Sequence, residues 1–91
     1  MSYQIEFHPK AEKFLESLSV KFRRQVSSKI NGLAENPRPP GCKKLKGPEV
    51  FYRISSGDYR IIYQIKDDML LVLVLRIGDR KEIYRFLKKL S

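Results

Sequence analysis

Apolar and polar residues alternate at the start of the chain, where Tyr3, Ile5 and Phe7 are separated by polar neighbours, and a period of two predicts a short, half-buried strand. Pro9 follows, and a proline suits the first turn of a helix, where the missing N–H costs no bond. From there the period lengthens. Ala11, Phe14, Leu15 and Leu18 recur at helical spacing, with Lys10, Glu12, Lys13 and Glu16 around the rest of the wheel, which predicts an amphipathic helix. Ser19 is placed to cap a second helix, with an apolar stripe of Phe22, Val26, Ile30 and Leu33 and a basic one of Lys21, Arg23, Arg24 and Lys29. So little chain joins the two that they are expected to fold back as an antiparallel helical hairpin.

The stretch NPRPPG at 36–41 ends the second helix, because its prolines remove amide donors and fix φ. Residues 50–54 and 59–65 are β-branched and aromatic around a Ser-Gly-Asp turn, which reads as a tight β-hairpin. With Ser56 and Gly57 as the turn, Arg53 stands directly opposite Arg60. Like charges across a ladder repel, so such a pair either splays into solvent or holds an anion. Tyr59, Ile61, Tyr63 and Ile65 define one face of the second strand and Arg60, Ile62 and Gln64 the other. After a turn at 66–68, residues 69–77 are apolar on both parities, as in a strand buried on both sides. Ile83, Phe86, Leu87 and Leu90 then repeat with helical spacing, opposite Lys81, Arg85, Lys88 and Lys89, and Asp79 with Glu82 forms a capping-box-like start. The order β-α-α-β-β-β-α predicts one α+β domain over 1–91. Its sheet is expected to be four-stranded and mostly antiparallel, with the helical hairpin on one face and the C-terminal helix on the other.

Charge narrows the partners. The chain has 91 residues with 19 Lys and Arg against 10 Asp and Glu, a formal charge of +9, and the excess begins only after the first helix. A field of this sign favours nucleic acid or an acidic protein. No apolar run approaches the ~20 residues that span a bilayer, so no membrane partner is expected. The opening MSYQIEFHPK has no apolar signal core, and the single cysteine, Cys42, allows no intramolecular disulfide, which together predict a cytoplasmic protein.

Several chemistries drop out. One histidine, His8, excludes a two-histidine ribonuclease centre, and its place at a helix entrance suits a local cap. The acids are scattered, no glycine-rich phosphate loop is present, and neither a metal nor another cofactor is expected. What remains is basic and aromatic: Lys46, Arg53, Arg60, Arg76, Arg80 and Tyr84. Such a set suits attack by a ribose 2′-hydroxyl on its own 3′-phosphate, where the substrate brings the nucleophile and cations stabilise the charge gathered on phosphoryl oxygens. Each residue also has a plainer reading, Tyr84 as packing on the sheet and Arg80 as a surface residue of a first helical turn. The side of the sheet taken by Arg76 turns on a single residue in the 66–68 loop.

Four stretches in this order, FHPKAEKFLESL, LKGPEVFYRI, GDYRIIYQI and LRIGDRKEIYRFLKKL, resemble the RelE/ParE toxin superfamily nearly end to end. The resemblance implies the toxin of a type II toxin–antitoxin pair, held silent by an acidic antitoxin expected to displace or cover the C-terminal helix. RelE-type members enter the ribosomal A site and cut mRNA there. By position Lys46, Arg53 and Arg60 match basic residues of the RelE cleft, Arg80 the arginine proposed as general acid for the leaving 5′-oxygen, and Tyr84 the tyrosine that stacks on the message. The resemblance thus marks Arg53, Arg60, Arg80 and Tyr84 as catalytic and Lys46 as an RNA contact, and the neighbouring cations Lys44, Arg76 and Lys81 are expected to contact RNA as well. The chain departs from the pattern in a shorter hairpin turn, in Ser55 where many relatives carry a basic residue, and in Asp79 where some carry histidine. Two other outcomes stay open on the same scaffold: a ParE-like poison of DNA gyrase, and a degenerate relative that only binds RNA or its antitoxin.

Overall fold

The computed structural model describes residues 2–47 and 49–90. The elements run β1 (Gln4–Phe7), α1 (Pro9–Ser17), α2 (Val20–Gly32), β2 (Lys43–Leu45), β3 (Phe51–Ser56), β4 (Tyr59–Lys66), a 3₁₀ turn (Asp67–Met69), β5 (Leu71–Asp79) and α3 (Arg80–Leu90). His8 caps α1, its Nδ1 accepting from the Lys10 amide at 3.2 Å. Ser19 occupies the N-cap of α2, but its side chain makes no capping bond.

The sheet has five strands in the order β1-β5-β4-β3-β2, one more than the sequence predicts. The addition is β2, three residues pairing antiparallel with β3 and too short to show alternation. The α+β class stands: β1 runs parallel to β5 and every other neighbouring pair is antiparallel. β5 lies between β1 and β4, as its two-sided apolar pattern requires, although it begins at Leu71 and leaves Met69 exposed in the preceding turn.

One face of the sheet carries the main core. Val26, Ile30 and Leu33 from α2 and its end, with Ala11 from α1, are fully buried against Tyr63, Ile61, Val72 and Val74. Full burial of one such aliphatic side chain contributes about 1.5–3 kcal/mol. The other face holds α3 through a smaller cluster, in which Phe51, Ile62 and Ile83 are buried and Leu45, Leu75, Phe86 and Leu87 pack around them.

A polar tie closes the end of the sheet where β1 starts. Arg38 forms a two-pronged pair with Asp67, at 3.2 and 2.9 Å, and its Nε donates to the Tyr52 hydroxyl at 3.3 Å. The Tyr3 hydroxyl donates to the same carboxylate at 2.6 Å. Tyr52 stacks on Tyr63, whose hydroxyl donates to the Pro37 carbonyl at 2.7 Å. Hydrogen bonds from Arg38 and then Tyr3 hold the Asp67 carboxyl down at about 2, below its ordinary 3.8, whereas burial pushes the Tyr63 hydroxyl up.

Candidate RNA-binding cleft

The hairpin register differs from the expected one by a residue. The turn is Gly57-Asp58, so Ser56 pairs with Tyr59, Ser55 with Arg60 and Arg53 with Ile62. Gly57 has φ of +59°, which a two-residue turn with its glycine first requires and which other residues adopt only under strain. Arg53 and Arg60 therefore share a face diagonally, with Ser55 directly opposite Arg60. The residue directly opposite Arg53 on the other side is Lys43.

Arg60 is fixed by its own turn, its Nη1 donating to the carbonyls of Gly57 at 3.1 Å and Tyr59 at 3.3 Å. A guanidinium has five N–H donors, so this leaves others for a ligand. Arg80 and Tyr84 come from α3, whose start is set by the end of β5. The Asp79 carboxylate accepts from the Glu82 amide at 2.8 Å, a cap whose loss typically costs about 1 kcal/mol. Gly78, opposite Arg60, lets this first turn approach: a Cβ there would lie 2.9 Å from Glu82 Oε2 and 3.0 Å from its Cβ.

These elements enclose one open cavity of about 890 Å³, lined by Arg53, Arg60, Arg80, Lys81, Tyr84 and Arg85 over an apolar floor of Ile83 and Leu87. Five of its side chains are cationic and none is a carboxylate. Tyr84 is 64% exposed, with Lys88 Nζ 5.6 Å from its ring centre. Among the described residues no group of three or more His, Cys, Asp and Glu side chains gathers at metal-binding distance, and no helix is long and apolar enough to cross a membrane.

The family model described as the ParE toxin of type II toxin–antitoxin systems matches residues 5–84. The chain belongs to the RelE/ParE toxin superfamily. It is a toxin of the type II toxin–antitoxin class, and it is 33% identical over 88 residues to the mRNA interferase toxin RelE of Escherichia coli, covering 92% of each chain. Its fold is similar to that of the isolated Escherichia coli RelE toxin, with TM-score 0.75 and 32% identity over 97% of both chains. It also resembles the RelE–RelB complex of Pyrococcus horikoshii, with TM-score 0.78 and 28% identity over 88% of this chain and 97% of that one.

Of the toxin's eight residues marked in the sequence, Arg53, Arg60, Arg80, Tyr84 and Lys81 line the cleft, and three do not. Lys44 pairs with Tyr52 and so faces the helical hairpin rather than Arg53; parity in a three-residue strand fixes this. Lys46 follows the end of β2 and lines no part of the cavity. Arg76 does share the face of Arg60, because it pairs with Ile62, yet its guanidinium sits over the Phe86 ring, 4.8 Å from the centre. There it borders a separate small cavity with His8, Glu49 and Gln64. What places it so is a bulge in β5: Ile62 pairs with Arg76 but Tyr63 with Val74, leaving Leu75 as the surplus residue. Arg85 was legible only as part of a basic helix face. Lys43 gave no signal, since one lysine among several in CKKLK carries no parity information.

Proposed function

We propose that this toxin is a ribosome-dependent endoribonuclease that cuts translated mRNA by attack of a ribose 2′-hydroxyl on the adjacent phosphate, without a metal. The observation that carries the reading is the concentration of four guanidinium groups, free of any lining carboxylate, around one cavity with an exposed tyrosine on its wall. In this reading Arg60, pinned by its turn, holds the phosphate, Arg53 adds charge beside it, and a base stacks on Tyr84. Arg80 faces the departing 5′-oxygen. An arginine keeps its proton across the physiological range, so its main contribution is a charged hydrogen bond to the developing oxyanion. No histidine or carboxylate lines the cleft, so the 2′-hydroxyl proton passes to solvent water and the departing 5′-oxygen takes one from it as the 2′,3′-cyclic phosphate closes, while alignment by the ribosome lowers the barrier. The Escherichia coli relative named an mRNA interferase supports the same reading.

The partner that silences it is an acidic antitoxin, seated against α3 and the surrounding basic surface. Induction in cells followed by mapping of transcript 5′ ends tests the proposal: cuts within translated codons are expected, and Arg60→Ala or Arg80→Ala each abolish them. The ParE name of the matching family model favours a second reading, a poison of DNA gyrase. Intact transcripts with gyrase-linked DNA breaks select that one, while neither lesion, with antitoxin binding retained, leaves a binding protein only.

A further inference from the structure

We infer that Lys43 and Arg53 together form a second phosphate subsite, on the β2 side of the cleft, for a phosphodiester next to the one being cut. This deepens the nuclease reading and rests on it.

Lys43 and Arg53 are direct partners in the β2–β3 ladder, so their side chains leave the same face of the sheet, with Cβ atoms about 4.5–5.5 Å apart. Since Arg53 lines the cleft, Lys43 carries its basic wall one strand further, to the sheet edge. The next residue on that face, Leu45, belongs to the apolar cluster beneath α3, which fixes the orientation of the short strand. Lys43 is exposed, and among the described residues neither it nor Arg53 has an ion-pair partner. Two cations directly opposed in a ladder repel, and an anion bridging them relieves the repulsion. An edge-strand lysine can also serve to discourage pairing with another chain, but that role needs no arginine opposite, and Lys44 already fills it from the other face. Arg60 stands across from Ser55, one pleat nearer the turn. The two cationic points are thus staggered along β3, as successive phosphates of an extended strand would require.

The test measures affinity of the full-length toxin for ribosomes programmed with a message carrying a 2′-O-methyl at the cut site, which binds without being cut. Lys43→Ala is expected to bind roughly fivefold to tenfold more weakly, and Lys43→Arg to restore affinity. Messages with one uncharged methylphosphonate linkage, 5′ or 3′ of the cut site, complete a double-mutant cycle: one of them weakens wild type by a similar factor and leaves Lys43→Ala unaffected. The variant also melts no lower than wild type, because a repulsive pair has gone. Unchanged affinity, or equal losses for variant and wild type on both neutral linkages, overturns the inference. If the cycle holds while wild type leaves an unmodified message intact, the nuclease reading alone fails.

Discussion

Arg38 and the arginines of the cleft belong to one small domain and live in opposite surroundings. Arg38 has its guanidinium matched on Asp67, bonded to Tyr52 and laid over the Tyr52 ring at 5.4 Å. Arg53, Arg60 and Arg80 border a cavity with no carboxylate, and where one of them is tethered, as Arg60 is, the acceptors are neutral carbonyls that leave its charge uncompensated. The first arrangement spends its donors on holding chain segments together; the second keeps them for something that is not part of the protein. Charge count alone makes no such distinction, because every one of these residues adds equally to the +9.

Substitutions that should separate the two regions most strongly lie in the cleft. Arg60→Ala and Arg80→Ala are each expected to lower cleavage of programmed ribosomes by at least about 100-fold while moving the melting temperature little; full activity in both removes the proposed mechanism. Tyr84→Ala should cost roughly tenfold or more in cleavage through lost stacking, with Tyr84→Phe close to wild type, and equal losses in the two would assign the hydroxyl rather than the ring. Arg38→Ala should do the reverse of the cleft variants, lowering the melting temperature by about 5 °C with cleavage preserved at a temperature where the variant is folded. The smallest effect is a pH dependence. Because the folded carboxyl of Asp67 is held at about 2, below its ordinary 3.8, its contribution to stability is complete above pH 4 and is lost as the pH falls toward 2. Urea midpoints of wild type should therefore fall more steeply across that window than those of Asp67→Asn.

The sequence revealed most of the fold because its elements are long enough to show a period. Ala11 to Leu18 and Ile83 to Leu90 declare helices, and Tyr59 to Ile65 declares a strand with a definite inner face. What escaped were matters of a single residue. The Ser-Ser-Gly-Asp stretch accommodates a two-residue turn with its glycine first or second, and only the folded backbone, with Gly57 at positive φ, selects the first. That register sets Arg53 opposite Ile62, while the placement of Lys43 and Lys44 comes from their own pairing with β3, in a strand too short to alternate. Arg53, Arg60, Arg80 and Tyr84 were marked by resemblance and by the exclusion of other chemistries; nothing in residue spacing places α3 beside the hairpin. That juxtaposition comes from the close approach at Gly78 and the Asp79 cap.

The surplus residue at Leu75 works as a phase shifter in β5. Before it Val74 faces the helical hairpin, and three positions later Ile77 does too, an odd interval that a regular strand cannot bridge. Everything downstream inherits the offset: Gly78 against Arg60, the cap at Asp79, and the direction in which α3 departs. Taking out Leu75 alone would make β5 regular, with Val74 and Ile77 two positions apart and both still toward the helical hairpin, so that deletion should keep the cleft, whereas removing one residue between Ile77 and Arg80 should swing α3 and its arginine away from the hairpin.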